Sequence, residues 1–89
     1  LQRMGGVTGF LDAAALCQAW HQPVSSHLFS ETSCHLLAAA PNGLILEHMP
    51  WWDALFTEPL GVADGHVLVP ERPGIGLELS APALARFKA

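Results

Sequence analysis

Residues 24–48 read VSSHLFSETSCHLLAAAPNGLILEH, and their order decides how the chain folds. Two short apolar runs, PVSSH (23–27) and LILE (44–47), bracket a segment with helix start and stop signals. Ser30 is placed to cap a helix, Glu31 falls in its first turn where the helix dipole favours an anion, and Pro41-Asn42-Gly43 stops it. The two runs are continuously apolar rather than alternating, the pattern of strands in a parallel sheet covered by helices. Each run closes on an ionisable residue, His27 and Glu47, twenty positions apart.

Working outward, GGVTG (5–9) reads as a loop, with Thr8 as the N-cap of a helix running to about Trp20. Leu11, Ala14, Ala15 and Cys17 or Gln18 fall near helical spacing, as expected of a helix packed on a sheet. The organisation to this point is helix, strand, helix, strand. After Met49 the pattern changes. PWWDALFTEPL is irregular, and Asp64-Gly65 inside VADGHVLV suits a tight hairpin turn. PERPGIGLEL is punctuated by Pro and Gly, and Ser80 is placed to cap a last short helix with Pro82 in its first turn. Two parallel strands cannot stand alone, because both are edges. Eight such units closed into a barrel remove the edges and gather chemistry where strands end. His27 and Glu47 occupy such ends.

Composition narrows the function. The chain has 89 residues, 51% of them apolar and only 13% charged. A domain of this size buries about 60–65% of its unfolded surface, so part of this apolar material is expected to pack on another chain or on the rest of a larger protein. The absence of a starting Met agrees with residues missing upstream. A net charge of −4 with only Arg3, Arg72, Arg86 and Lys88 as bases argues against nucleic acid. No run reaches the roughly 18–20 apolar residues that span a bilayer, and the first residues lack a signal-peptide pattern. Cys17 and Cys34 read as reduced, buried thiols, which points to a cytoplasmic setting.

Among the candidate residues, imidazole at His27 suits general-base work near neutral pH. A carboxyl at Glu47, closing an apolar strand, is expected to face a low-polarity site where its neutral form can donate a hydrogen bond. His35 with Glu31 reads as a helix-surface pair. His21, His48 and His66 read as solvated loop residues, and Trp51 and Trp52 as closing a core or an interface. No histidine or cysteine spacing matches a metal motif, so no metal ligand is expected in this segment. GGVTG lacks the lysine and glycine spacing of a phosphate loop and reads as a turn before a helix.

From about Gly5 to Glu47 the chain resembles, without a gap, the closing part of the barrel domain in the mandelate racemase / muconate lactonizing enzyme group of the enolase superfamily. GGVTG, P-x-S-S-H-L, HLLAA-x-P and the interval to LE carry the resemblance, and EPL, DGHV and RPGIGLEL continue it to about Leu79. The resemblance implies an α/β fold: the last two β/α units of a TIM-type (β/α) barrel over 1–49, an incomplete barrel on its own. Residues 50–89 would form a C-terminal extension of irregular segment, hairpin and short helix that packs on a capping region.

It further implies that His27 is the base at the end of the seventh barrel strand. Glu47 would be the acid at the end of the eighth, donating a hydrogen bond to a substrate carboxylate that becomes an enediolate, with Leu28 and Met49 flanking the substrate pocket. The cofactor would be Mg2+, its ligands upstream, as are the family's lysine on the opposite face and the aspartate that orients the histidine, which would fall just before Leu1. The expected reaction of the parent is abstraction of the proton alpha to the carboxylate of a 2-hydroxy acid or sugar acid, by racemisation, epimerisation or dehydration. The 89 residues alone are expected to be inactive and to form homo-oligomers or associate with the rest of a barrel. Two alternatives are a non-catalytic, self-associating interaction module and a small histidine-dependent metal binder.

Overall fold

The computed structural model describes residues 1–88 and divides after His48 into two compact units. The first opens with a short 3-10 turn, Gln2–Met4, followed by α1 (Val7–Ala19) and α2 (Ser30–Ala39). Helix α1 is capped by Gly6, not Thr8. The chain enters it at φ 95°, a left-handed entry that threonine does not favour. Gly9 lies one turn in, and its missing side chain lets the carbonyl of Met4 come so near that a Cβ there would lie 1.6 Å from the oxygen. The glycines of GGVTG therefore shape a tight entry to a helix.

The buried stripe of α1 is Phe10 and Ala14; of the residues expected at helical spacing Ala14 is buried, Cys17 is half-buried, and Leu11 and Ala15 are exposed. The bulkier Phe10 takes the inward position, and Ala14 lies one turn beyond it on the same face. These two pack with Leu36 and Ala40, and Leu1, Val24 and Leu37 cover the cluster. Burying a side chain such as Leu36 contributes roughly 1.5–3 kcal/mol.

Before and after α2, residues 24–26 and 42–45 run parallel to each other. Val24 donates to the Asn42 carbonyl at 2.9 Å, Leu44 to the Val24 carbonyl at 2.8 Å, and Ser26 to the Ile45 carbonyl at 3.0 Å. Only a single parallel bridge, Val24 to Gly43, has regular ladder geometry. The expected pair of full strands is thus a short parallel contact that loses its regular register at Ser26. Leu44 and Ile45 are 64% and 62% exposed, so these runs are not covered on both faces within the described residues. The Asn42 amide ties the lower end together, donating to the carbonyls of Ala14 at 3.0 Å and Gln22 at 2.9 Å.

Helix α2 begins at Ser30, with Phe29 in the capping position expected for Ser30. Ser30 and Ser33 are each only 1% exposed. Glu31 lies in the first turn as anticipated but is buried, so it is not part of a surface pair. The helix stops at Ala40, before the Pro41-Asn42-Gly43 breaker. Cys17 is half-buried and Cys34 buried, both free; burial pushes the Cys34 thiol pKa up.

The second unit begins at Met49, the cap of a 3-10 helix over Pro50–Leu55 that the sequence pattern did not reveal. Trp51 is 59% exposed and closes no core within this unit. Strands β1 (Val62–Ala63) and β2 (His66–Val67) form an antiparallel hairpin, Val62 opposite Val67 and Ala63 opposite His66. Asp64 and Gly65 turn it at φ 49° and 76°, the two positive angles such a turn requires. Leu79 bridges antiparallel to Phe56. Ser80 then caps α3 (Ala81–Phe87), accepting from the Ala83 N–H at 3.5 Å.

Candidate active site

The parallel contact fixes where His27 and Glu47 fall. Both lie just beyond it, at the ends of the two segments, and their side chains meet: His27 Nδ1 is 3.2 Å from Glu47 Oε2. The backbone after His27 makes this meeting possible. Leu28 and Phe29 both adopt left-handed angles, φ 55° and 50°. Such conformations are unfavourable for large side chains and persist where surrounding bonds over-determine them.

Two sets of bonds hold this turn. The Ser33 hydroxyl donates to the Leu28 carbonyl at 3.1 Å, and the N–H groups of Thr32 and Ser33 donate to the Phe29 carbonyl at 3.1 and 2.9 Å. In return the kink aims the Leu28 N–H at Glu47, where it donates to Oε2 at 2.8 Å. Glu47 Oε2 therefore accepts from a backbone N–H and faces an imidazole nitrogen. Neither Oε1 nor the His27 Nε2 has a hydrogen-bond partner among the described residues.

Glu47 is not enclosed in apolar surroundings, as its place on an apolar strand suggested. Its side chain is 44% exposed and that of His27 is 63% exposed. A cleft of about 480 Å³ lies on the His27 side, lined by Leu1, Gln2, Arg3, Met4, His27, Leu28 and Phe29. Leu28 thus lies beside His27 in one cleft. Met49 belongs to the second unit.

His48 is not a solvated loop residue. It is half-buried and its Nδ1 lies 3.1 Å from the Ser30 hydroxyl. The sequence offered no signal for this contact, because the two residues are eighteen positions apart and belong to no common motif. His21 and His66 are exposed, and the ring of His66 folds back to the Asp64 carbonyl at 2.9 Å. Among the described residues, no three His, Cys, Asp or Glu side chains are grouped so that they could hold a metal ion. No helix of the described residues is long and apolar enough to cross a membrane.

Residues 1–83 match the family described as Enolase C-terminal domain-like. The chain belongs to this family. Solved enolase-family structures overlie it closely. One is an enolase from alpha proteobacterium bal199 with bound magnesium, 36% identical, with a TM-score of 0.90 over 94% of this chain and 23% of that one. Another is L-talarate dehydratase from Polaromonas sp. JS666 complexed with magnesium and L-glucarate, 41% identical, with a TM-score of 0.82 over 91% of this chain and 23% of that one.

A curated relative, the D-xylonate dehydratase of Haloferax volcanii, is 34% identical over 94% of this chain. The chain spans 23% of that relative's length. Its curated relatives include sugar acid dehydratases and cycloisomerases, and its structural neighbours include mandelate racemase-type proteins. This agrees with the resemblance carried by GGVTG, P-x-S-S-H-L and HLLAA-x-P.

Proposed function

We propose that the chain is a catalytic segment of a mandelate-racemase-like enzyme that abstracts the proton alpha to the carboxylate of a sugar acid or other 2-hydroxy acid. The observation that carries this reading is the His27–Glu47 pair, set 3.2 Å apart at one end of two parallel segments. Kinship to sugar acid dehydratases supports the substrate class. The segment would supply the last two units of a TIM-type barrel, with His27 and Glu47 at its mouth and Leu28 as an apolar wall of the substrate pocket.

The atoms divide the work. With Nδ1 turned toward Glu47 Oε2 at 3.2 Å, His27 would present the Nε2 lone pair to take the proton from the substrate carbon. As that proton leaves, negative charge builds on the substrate carboxylate oxygens. Glu47, with Oε2 accepting the Leu28 N–H and facing His27, would have Oε1 free to donate to one of those oxygens when it carries a proton. Leu28 N–H keeps the carboxyl turned to allow this. Magnesium, bound in the structural neighbours, is proposed as the cofactor of the whole enzyme and would stabilise the same developing charge. The described residues supply no metal-binding cluster, so its ligands would lie outside them, and the isolated 89 residues are proposed to be inactive.

Deuterium incorporation from heavy water tests the roles in the full-length enzyme, with D-xylonate and L-glucarate as probes. His27→Asn should slow exchange on the face His27 serves by about 10²–10⁴-fold, the usual worth of a general base, and leave exchange on the other face near wild type. Glu47→Gln should slow both faces together, because the carboxylate it bonds is common to both. Wild-type rates in both variants would dismiss the reading, as would the reverse pattern of face selectivity.

A further inference from the structure

We propose that Ser26 and His48 are positioning residues for Glu47, an inference that rests on the function proposed above. The reason lies in how an exposed glutamate is held. Packing cannot fix a side chain that is 44% exposed, and a glutamate free to sample its rotamers loses entropy when it is ordered. Hydrogen bonds must do the ordering, and the structure places them on both sides of the residue. The Ser26 hydroxyl accepts the Glu47 backbone N–H at 2.8 Å. On the other side, the ring of the next residue, His48, meets the Ser30 hydroxyl at 3.1 Å.

Ser26 and Ser30 flank the turn that carries His27 and Leu28. The chain on either side of the Glu47 Cα is therefore referenced to the same short segment that presents the base. Ser30 is a firm anchor, 1% exposed in the first turn of α2. With the Leu28 N–H on Oε2 at 2.8 Å, two ties hold Glu47 itself and a third holds its neighbour His48, and each comes from residues 26–30. Their common origin makes the Glu47–His27 separation insensitive to movement elsewhere. Ser26 and His48 act through Glu47, and their effect is on where its carboxyl sits.

The test uses the full-length enzyme and four variants, read by deuterium exchange and turnover on whichever of D-xylonate and L-glucarate exchanges faster. Ser26→Ala and His48→Phe should each lower kcat by roughly 10- to 100-fold, the scale of an ångström of misplacement, with KM within about twofold of wild type. Both should slow exchange on the two faces together, as Glu47→Gln does. Ser26→Thr keeps the hydroxyl and His48→Asn places an amide near the Nδ1 position, so these two should recover most of the rate.

A purely structural role would lower the folding midpoint without this split or this rescue. The inference is overturned if Ser26→Ala and His48→Phe turn over at wild-type rates. It is equally overturned if Thr and Asn do no better than Ala and Phe. If His27→Asn itself leaves exchange intact, the proposed function falls and this inference with it. Loss of exchange in His27→Asn beside wild-type Ser26→Ala and His48→Phe would remove only the positioning role.

Discussion

Gly9→Ala sets two effects of opposite sign against each other. Within a helix, alanine is favoured over glycine by about 0.8–1 kcal/mol, so propensity alone predicts a more stable protein. The structure predicts the reverse. A Cβ on residue 9 would lie 1.6 Å from the Met4 carbonyl oxygen and 2.8 Å from its carbon, where real contacts are no shorter than 3.0 Å. Helix and turn would have to part by about 1.4 Å, the difference between those distances.

The atom in the way is backbone, and it cannot swing aside as a side-chain tip could. Parting displaces the Gln2–Met4 turn, which is held by Met4 N–H and Gly6 N–H on the Leu1 carbonyl at 3.1 and 3.2 Å, and it lifts Leu1 from the Phe10–Leu36 cluster. Overpacking of this kind costs about 1–3 kcal/mol, so a net loss of up to roughly 2 kcal/mol remains after the gain in propensity. Because the same turn lines the cleft beside His27, KM or kcat should change as well.

Urea and thermal unfolding of the full-length protein measure the first effect, and steady-state kinetics the second. Gly61→Ala is the control, since its Cβ would meet side-chain rather than backbone atoms, the nearest being the Leu68 Cδ1 at 3.3 Å. A Gly9→Ala protein that unfolds at or above the wild-type midpoint would refute the reasoning.

Two further outcomes are expected. Burial raises the pKa of the Cys34 thiol above its ordinary value of 9.0, so its stabilising contribution is fully present below pH 9 and is lost as pH rises through the raised value. Urea midpoints of wild type should fall more steeply above pH 9 than those of Cys34→Ala, and parallel curves would contradict this. The isolated 89 residues should self-associate, because Leu44 and Ile45 stand exposed beside an unpaired parallel contact; a single monomeric species in sedimentation at micromolar concentration would count against it.

What the sequence disclosed, and what it hid, follows from the range of the forces involved. Pro41-Asn42-Gly43, Asp64-Gly65 and Ser80 act on their own neighbours, and each has the effect its residue type implies: a helix stop, a hairpin turn and an N-cap. The family was legible because several spaced elements agree over residues 1–83. The starts of α1 and α2 were not, since Gly6 and Phe29 hold cap positions through unusual backbone angles where Thr8 and Ser30 offered better side chains.

Strand length was misjudged for another reason. Apolar runs announce a capacity to pair, and pairing needs neighbours that residues 1–88 do not provide. As for the candidate site, the sequence marked His27 and Glu47 but not the bonds around them. Nothing local in SSH or LEH signals that Ser26 receives the Glu47 N–H or that His48 reaches Ser30.

The double left-handed turn at Leu28 and Phe29 also bears on how this chemistry could be moved between proteins. A histidine and a glutamate copied onto the strand ends of another barrel would arrive without the inverted backbone that points an N–H at the carboxyl. Two bulky residues will not hold that conformation unaided, and its support comes from the Ser33 hydroxyl and the opening turn of the following helix. The smallest transferable piece is therefore a cassette from Ser26 through Ser33, grafted together with Glu47 and His48. Transplants that carry the pair alone should keep its residue types and lose its geometry.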